Sequence, residues 1–356
     1  MRGLHAGTHR GHQSAQAGQS HPASDLGEPH LPEVTAAAGE RLRGRSPGRR
    51  YNVTDTTPKG FRAGFVPITG LPNAGKSTLM NAFCGTRLSI ISDKPQTTRN
   101  NILGILNAAD FQAVFVDTPG FLHSRNLFEK SMENAIRRAA GEEGDVCILI
   151  VEPGLPPESK IPLFQPLKNI RCPLYLVVNK LDKEKSPERV KEATDFYSAM
   201  LPVSKVFNIS ALSGTGVKEL RLAIKEALPE HPAYYPQDQL TDRWERFYAA
   251  EIIREQIFKI YSQEVPYSSA VEIEYFSETK GRSDEVHAVV HVSREGQKPI
   301  IIGKAGRSIK ELRERSQKAI VAFLGRPVEL HLRVKVTPGW QDNMQFLREI
   351  GFYDKK

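Results

Sequence analysis

GLPNAGKS at 70–77, directly behind the apolar run GFVPIT at 64–69, decides how the first half of this chain is read. The run is short and apolar, which suits a strand, and KSTLMNAF at 76–83 carries a helical pattern. Between them, Gly70-x-x-x-x-Gly75-Lys76-Ser77 has the Walker A spacing in the strand-then-helix context that this spacing requires. Glycines let backbone N–H groups curl around phosphates at a helix N-terminus, a lysine reaches the β and γ phosphates, and a Ser77 hydroxyl suits Mg²⁺. Leu71, Pro72, Asn73 and Ala74 form the body of the same ligand-binding loop. A glycine-rich turn that only connects strand to helix would share part of this pattern, so the rest of the chain has to discriminate.

Working outward, further apolar runs follow at 112–118 (QAVFVDT), 147–152 (CILIVE), 174–180 (LYLVVNK) and 206–210 (VFNIS), with helical patterns between them. Strands spaced this way indicate βαβ units and an α/β, mostly parallel, doubly wound sheet covered on both faces, over residues 61–228. Residues 229–242 hold three prolines between polar ends and read as a linker. The grammar then changes: a helix over 244–261, alternating strands at 270–277 and 286–292, a β-branched run at 299–302, a basic helix over 308–323 and a last strand at 328–336. That is an α+β pattern, so a second domain is expected over 243–356, in keeping with a length of 356 residues. Residues 1–60 are rich in Gly, Ser, His and Arg with scarcely an apolar cluster, and are expected to be a disordered extension. Arg without Lys there suits an organelle transit peptide, whereas Asp25, Glu28, Glu33 and Glu40 oppose that reading.

The formal net charge of +8 favours phosphate-rich partners. Cys84, Cys147 and Cys172 are odd in number and show no CxxC spacing, so neither a disulfide framework nor a zinc-cysteine site is indicated and a reducing compartment fits. No stretch approaches the ~18 consecutive apolar residues of a membrane span. A soluble protein, at most peripheral to a membrane, is expected.

Asp117-Thr118-Pro119-Gly120 closes one apolar run, placing an acid where it can hold Mg²⁺ through water and a glycine beside the γ-phosphate. Asn179-Lys180-Leu181-Asp182 ends the run at 174–180, and Ser210-Ala211 ends the next. In this order the four pieces resemble a small GTPase-type G domain of the P-loop class. The resemblance implies GTP/GDP and Mg²⁺ as ligands, with the Asp182 carboxylate accepting from guanine N1–H and the 2-amino group. It also implies that Asn179 supports the loop, and that Lys180, Leu181, Ser210 and Ala211 belong to the base-binding set. Adenine lacks the 2-amino group and would leave a buried carboxylate unpaired.

Gln96-Thr97-Thr98-Arg99 lies where this class places its first switch. By resemblance one threonine ligates Mg²⁺ when GTP is bound, with Thr98 favoured and Thr97 its rival; Ser77 and Asp117 complete the metal set. Lys76, Thr98 and Gly120 are the implied catalytic residues. Phe121 stands where Ras-like enzymes use a glutamine to orient the attacking water, so slow hydrolysis is expected unless another element positions the nucleophile. Related GTPases with a hydrophobic residue there often have an Asn at the position of Asn73 and use K⁺ as added positive charge. The other reading is that Asn73 only shapes the loop.

In the second half, Gly303-Lys304-Ala305-Gly306 joins the run at 299–302 to a helix, followed by Arg307 and Lys310, with Arg313, Arg315 and Lys318 further along. GxxG before a basic helix is the spacing with which a KH domain clamps a single-stranded nucleic-acid backbone. Glu311 and Glu314 partly offset the charge. A G domain followed by such a module resembles the Era family of ribosome-assembly GTPases over most of residues 64–353. The stretches that carry the resemblance are SDKPQTTR (92–99), VDTPGFLH (116–123), TDRWERFYAAEIIREQIF (241–258), VPYS (265–268), VSREGQKPIIIGKAG (292–306) and VKVTPGW (334–340). Pro72 and Ala74 are compatible with P-loop variants of that family. The resemblance implies a type II KH domain in the C-terminal half. It also implies a GTP-favoured state that binds the 3′ end of small-subunit ribosomal RNA during late assembly of that subunit. A monomer in the cytoplasm with a peripheral inner-membrane pool is expected, or a mitochondrial or chloroplast interior if residues 1–60 are a transit peptide. Two other readings are a GTPase of a related branch acting in tRNA modification and an RNA-binding protein with a non-hydrolysing nucleotide domain.

Overall fold

Short apolar runs buried on both faces become the inner strands of one sheet. In this computed structural model the strands are, in chain order, β1 (Arg62–Thr69), β2 (Ile102–Asn107), β3 (Phe111–Asp117), β4 (Cys147–Val151), β5 (Leu174–Val178) and β6 (Val203–Asn208). The structure describes residues 58–90, 99, 101–121, 126–130, 144–184, 186–277 and 283–352, all within one compact unit. The disorder expected for 1–60 therefore concerns residues that lie, but for 58–60, outside the described ones.

The spatial order is β2-β3-β1-β4-β5-β6, parallel throughout except where β2 runs antiparallel to β3. Every side chain of β3, β4 and β5 is buried, which is why they read as unbroken apolar runs. Helices α1 (Lys76–Cys84) and α3 (Val217–Ala227) cover one face through Leu79, Phe83, Leu220 and Ile224. On the other face lie α2 (Pro187–Met200) and a 3₁₀ segment, Glu158–Asn169, with Phe164, Ala193 and Tyr197 against Leu149 and Leu176. Ser186 caps α2 by accepting from the Arg189 N–H at 3.4 Å, with Pro187 at the first helical position. Pro162 and Pro166 inside the 3₁₀ segment remove the donors a regular helix would need.

Residues 229–242 are laid against the sheet by regular hydrogen bonds. Ala63 N–H donates to Pro229 O at 3.1 Å, and Ile105 N–H, on the outer strand β2, donates to Leu240 O at 2.8 Å. The fully buried Gln112 side chain accepts from the Tyr234 and Tyr235 N–H groups at 2.7 and 3.0 Å and donates to Tyr235 O at 2.7 Å. A buried amide so satisfied holds the segment in place.

The C-terminal half runs α4 (Glu245–Ile260), β7 (Ser269–Ser277), β8 (Asp284–Val292), α5 (Gln297–Ile302), α6 (Arg307–Leu324), β9 (Val328–Val336) and α7 (Met344–Glu349). Its sheet is β7-β8-β9, antiparallel then parallel. Helix, strand, strand, helix, helix, strand is the type II KH order. The β-branched run at 299–302 forms the end of α5 and not a strand, because packing of Ile301 outweighs a weak local preference. Helix α4 is buried on nearly all sides: Ile253 and Ile257 join a cluster that runs without a break from the first sheet into the second, and Glu255 pairs with Arg87 just past α1. The two halves therefore share one apolar core.

Candidate active site and nucleic-acid interface

β1, β3, β5 and β6 are parallel, so their C-terminal ends present four loops on one edge of the sheet, the edge where α/β folds bind ligands. After β1 the chain turns through Gly70 (φ 148°), Asn73 (φ 66°) and Gly75 (φ 104°) into α1. A Cβ on Gly70 would overlap the Ile150 carbonyl oxygen, and one on Gly75 would overlap the Asn179 amide, so the cradle admits no side chain at either place. No side chain caps α1, which leaves its first turn facing the loop as a ready anion site.

Lys76 is buried, and its Nζ donates to Leu71 O at 2.9 Å and Gly70 O at 3.3 Å. Burial lowers its pKa to about 8, with Asp117 pulling partly in the other direction. Asp117 Oδ2 accepts from Ser77 Oγ at 2.8 Å and from Ser89 Oγ at 2.6 Å. A hydroxyl beside a carboxylate is a hard oxygen set of the kind Mg²⁺ takes together with phosphate oxygens, so the donors present fit that ion. Ser89 is absent from the sequence expectations; no spacing rule points to it.

Thr118 Oγ1 donates to Ile68 O at 2.8 Å, which clasps the end of β3 to β1. Pro119 follows, and a Cβ on Gly120 would stand 2.8 Å from the Pro72 nitrogen, so the two loops are in close apposition. Phe121 N–H donates to Gly70 O at 3.1 Å, while its ring turns into the apolar core, 5.5 Å edge-on to Phe164. Leu71 of the loop packs against the same apolar cluster.

At the other end, buried Asn179 donates from Nδ2 to Ala74 O and accepts at Oδ1 from Ala211 N–H, both at 2.9 Å. One side chain thus joins the phosphate loop to the loop after β6. Lys180 (φ 69°) makes the turn and pairs with Glu152 at 2.6 Å, and Leu181 N–H donates to Ile209 O at 3.2 Å. Asp182 is exposed, with Oδ1 accepting from Ser210 Oγ at 2.5 Å. A carboxylate braced on one oxygen by a hydroxyl and open to solvent suits two adjacent N–H donors of a base. Thr97 and Thr98 lie outside the described residues.

In the second half, Gly303 (φ 71°), Ala305 (φ 53°) and Gly306 (φ 74°) form a tight loop at the start of α6. A Cβ on Gly303 would overlap the Ser308 hydroxyl, whereas one on Gly306 would meet nothing within 4 Å, so that flank is open to an incoming backbone. Lys304, Arg307 and Lys310 are exposed. Arg315 pairs with Glu311 at 2.6 Å and Lys310 lies 4.0 Å from Glu314, so the acidic residues draw on charge farther along α6 while Lys304 and Arg307 stand at its mouth.

The residue sequence reasoning placed but did not interpret is Arg99. Its side chain is buried in the C-terminal half, donating to Ser269 O at 2.7 Å, Pro266 O at 2.9 Å and Tyr267 O at 3.3 Å. It lies 5.2 Å from the Phe128 ring and 5.9 Å from that of Phe258. Phe128, from the segment after Gly120, packs edge-on against Trp340 at 5.3 Å and Phe352 at 4.7 Å. Two chain segments that follow the phosphate loop, one before β2 and one after β3, therefore meet in the C-terminal half.

A family model described as a 50S ribosome-binding GTPase matches residues 65–180, and a KH-domain model matches 264–341. "GTPase Era" of Elusimicrobium minutum is 44% identical over 297 residues, 83% of this chain and 99% of that protein. The chain belongs to the Era family of GTPases. "GTPase Era" of Lactobacillus helveticus is 40% identical over 298 residues, 84% of this chain and 98% of its own. An Aquifex aeolicus Era variant bound to GDP·AlF₄⁻ matches in structure with a TM-score of 0.76 at 34% identity, over 82% of this chain and 99% of that one. An Era in complex with MgGDPNP and nucleotides 1506–1542 of 16S ribosomal RNA matches at 0.77 and 36%, with the same coverage. The Era family fold, a P-loop GTPase domain followed by a KH domain, is thus that of this chain, and it is a GTPase.

Proposed function

We propose that this chain is a GTP-switched clamp for the 3′ end of small-subunit (16S-type) ribosomal RNA, acting in assembly and maturation of that subunit. The division of labour in this reading is a G domain over 61–228, a pinned connector over 229–242 and a KH domain over 243–356. The G-domain model's description names the large subunit but spans only 65–180, which excludes the GxxG loop. The relative solved with 16S RNA spans 82% of this chain, and we follow it for that reason.

In the nucleotide site, Gly70–Ser77 backbone groups and Lys76 hold the phosphates, Asn179 joins the phosphate and base ends, and Asp182 with Ser210 reads guanine. Ser77 and Asp117, with Thr98 from the first switch, hold Mg²⁺. Held by these oxygens, Mg²⁺ would supply positive charge against that developing on the transferred phosphoryl group. Lys76 and the Gly120 backbone stabilise that charge from the protein side. With the Phe121 ring in the core, no side chain at that position orients water, so hydrolysis is slow, and K⁺ held beside exposed Asn73 would add positive charge near the phosphates. Turnover that is the same in Na⁺ and K⁺ would remove the K⁺ role.

The observation that carries the switch reading is the common anchorage of Arg99 and Phe128 in the KH half: each lies a few residues from the γ-phosphate-facing loops. A ligand shifts a docking equilibrium only by its differential affinity for the two arrangements. Titrating a 16S 3′-end fragment with the GTP-analogue and GDP forms tests the reading; tighter binding in the analogue form is expected, and equal affinities would mean no switch. The protein in this reading is a cytoplasmic monomer with a peripheral inner-membrane pool, to be checked by fractionation and sedimentation.

A further inference from the structure

The outer surface of the KH sheet carries a side-chain group to which the sites described above give no role. β8 contains Glu285-Val286-His287 and β9 contains Glu329-Leu330-His331, the same E-x-H pattern twice. The parallel register sets Glu285 opposite Glu329 and His287 opposite His331. Because side chains alternate along a strand, all four point to one face while Val286 and Leu330 are buried on the other. The product is a rectangle of two imidazoles and two carboxylates.

We propose that Glu285, His287, Glu329 and His331 form a binding site for a divalent transition-metal ion of the zinc class. The donor atoms of Glu285, His287 and His331 all lie within 4.8 Å of one another. His287 Nε2 is 2.7 Å from Glu285 Oε1, and His331 Nε2 is 4.0 Å from the same oxygen and 3.5 Å from Glu329 Oε1. A tetrahedral ion with ligand bonds of about 2.0–2.2 Å needs its donors about 3.3–3.6 Å apart, a spacing these distances bracket. The imidazole rings already stand with centroids 4.7 Å apart, and Tyr275 packs against His287 at 5.4 Å, restricting its rotation. Mixed imidazole and carboxylate donors select Zn²⁺, Cu²⁺ or Ni²⁺ over Mg²⁺, whose chemistry belongs to the all-oxygen set at Ser77 and Asp117. Two paired strands fix the four Cα positions, so the ordering a metal requires is largely supplied by the sheet. Among the described residues no other three His, Cys, Asp or Glu side chains come together in this way.

The test uses the full chain, stripped with chelator and titrated with ZnCl₂ by calorimetry and with CoCl₂ by absorbance. Expected are one site that gives Co²⁺ a four-coordinate visible spectrum, and a thermal midpoint raised by on the order of 5 °C at ~100-fold excess of zinc over its Kd. In the His287→Gln/His331→Gln variant this site's affinity falls at least tenfold and both the spectrum and the midpoint shift disappear, while GTP binding, as a folding check, stays unchanged. Glu285→Gln should weaken zinc binding several-fold with the fold equally intact. His5, His9, His12, His21 and His30 offer other donors in this chain. Stoichiometry, spectrum and midpoint shift that survive in the double variant would assign the metal to those and overturn the proposal, as would the absence of any zinc-dependent shift in the wild-type chain.

Discussion

Truncating Arg99 to alanine tests how the nucleotide loops act on the RNA-binding half. The guanidinium donates to three main-chain carbonyls, Pro266, Tyr267 and Ser269, and faces two phenyl rings. A hydrogen bond from a charged donor nets roughly 1.5–3 kcal/mol, and a cation beside an aromatic face about 0.5–2 kcal/mol. Opposing these is the cost of burying the cation with no carboxylate in contact among the described residues. Burial, with Arg254 nearby adding repulsion and Glu251 countering it, drives the Arg99 pKa down to about 9. Two of the acceptors keep a second donor when Arg99 is removed: the Ser269 hydroxyl at 3.2 Å from Pro266 O and the Gln341 amide at 3.4 Å from Tyr267 O. The loss therefore lies near the low end of the range for breaking a buried charged contact, about 3 kcal/mol, or on the order of 150-fold in docking of the two halves. Hydrogen exchange should report the change as faster exchange over residues 264–270. The ratio of RNA affinities in the GTP-analogue and GDP forms should fall toward one. Arg99→Lys should sit between, since one ammonium cannot span three carbonyls. A variant that keeps the wild-type ratio, or exchanges no faster over 264–270, refutes the role.

Asp182→Ala removes the acceptor of two base N–H groups, so GTP affinity should drop by about 100- to 1,000-fold and the preference over ATP should collapse in a competition assay. Lys76 titrates from about 8 in the free protein, and a bound triphosphate raises that value; binding free energy is then intact below pH 8 and declines as pH rises through it, up to about tenfold per unit. Calorimetry at pH 8.5 in buffers of different ionisation enthalpy should show proton uptake that Lys76→Arg, which stays charged, lacks. The Lys304→Ala/Arg307→Ala variant should bind GTP normally, and its RNA affinity should depend on salt with a slope shallower by about 1.4, because two fewer phosphates of a single strand are neutralised. An unchanged salt slope would mean those side chains do not meet phosphate.

The nucleotide site is legible in the sequence because each of its parts is a local device. GLPNAGKS, DTPG, NKLD and the Ser210-Ala211 pair each follow an apolar run, and parallel strands carry their following loops to one edge whatever the details of packing. The inner strands could be bounded to within a few residues for the same reason, since burial on both faces writes a continuous apolar run, and the last strand could be bounded by its alternation of buried and open side chains. Only the folded chain reveals what depends on residues distant in sequence. Ser89 reaches Asp117 across 28 positions, Asn179 reaches Ala74 across 105 and Arg99 reaches Ser269 across 170. The proline-bearing connector at 229–242 has the composition of a free tether, yet Gln112, buried at the start of β3, ties it against the sheet. The run at 299–302 has strand propensity and is helical, because its buried Ile301 answers to the core and not to its neighbours in sequence. Local chemistry is written in consecutive residues; the joining of one half of this molecule to the other is a matter of which buried groups find partners, and that is settled only when the chain has packed.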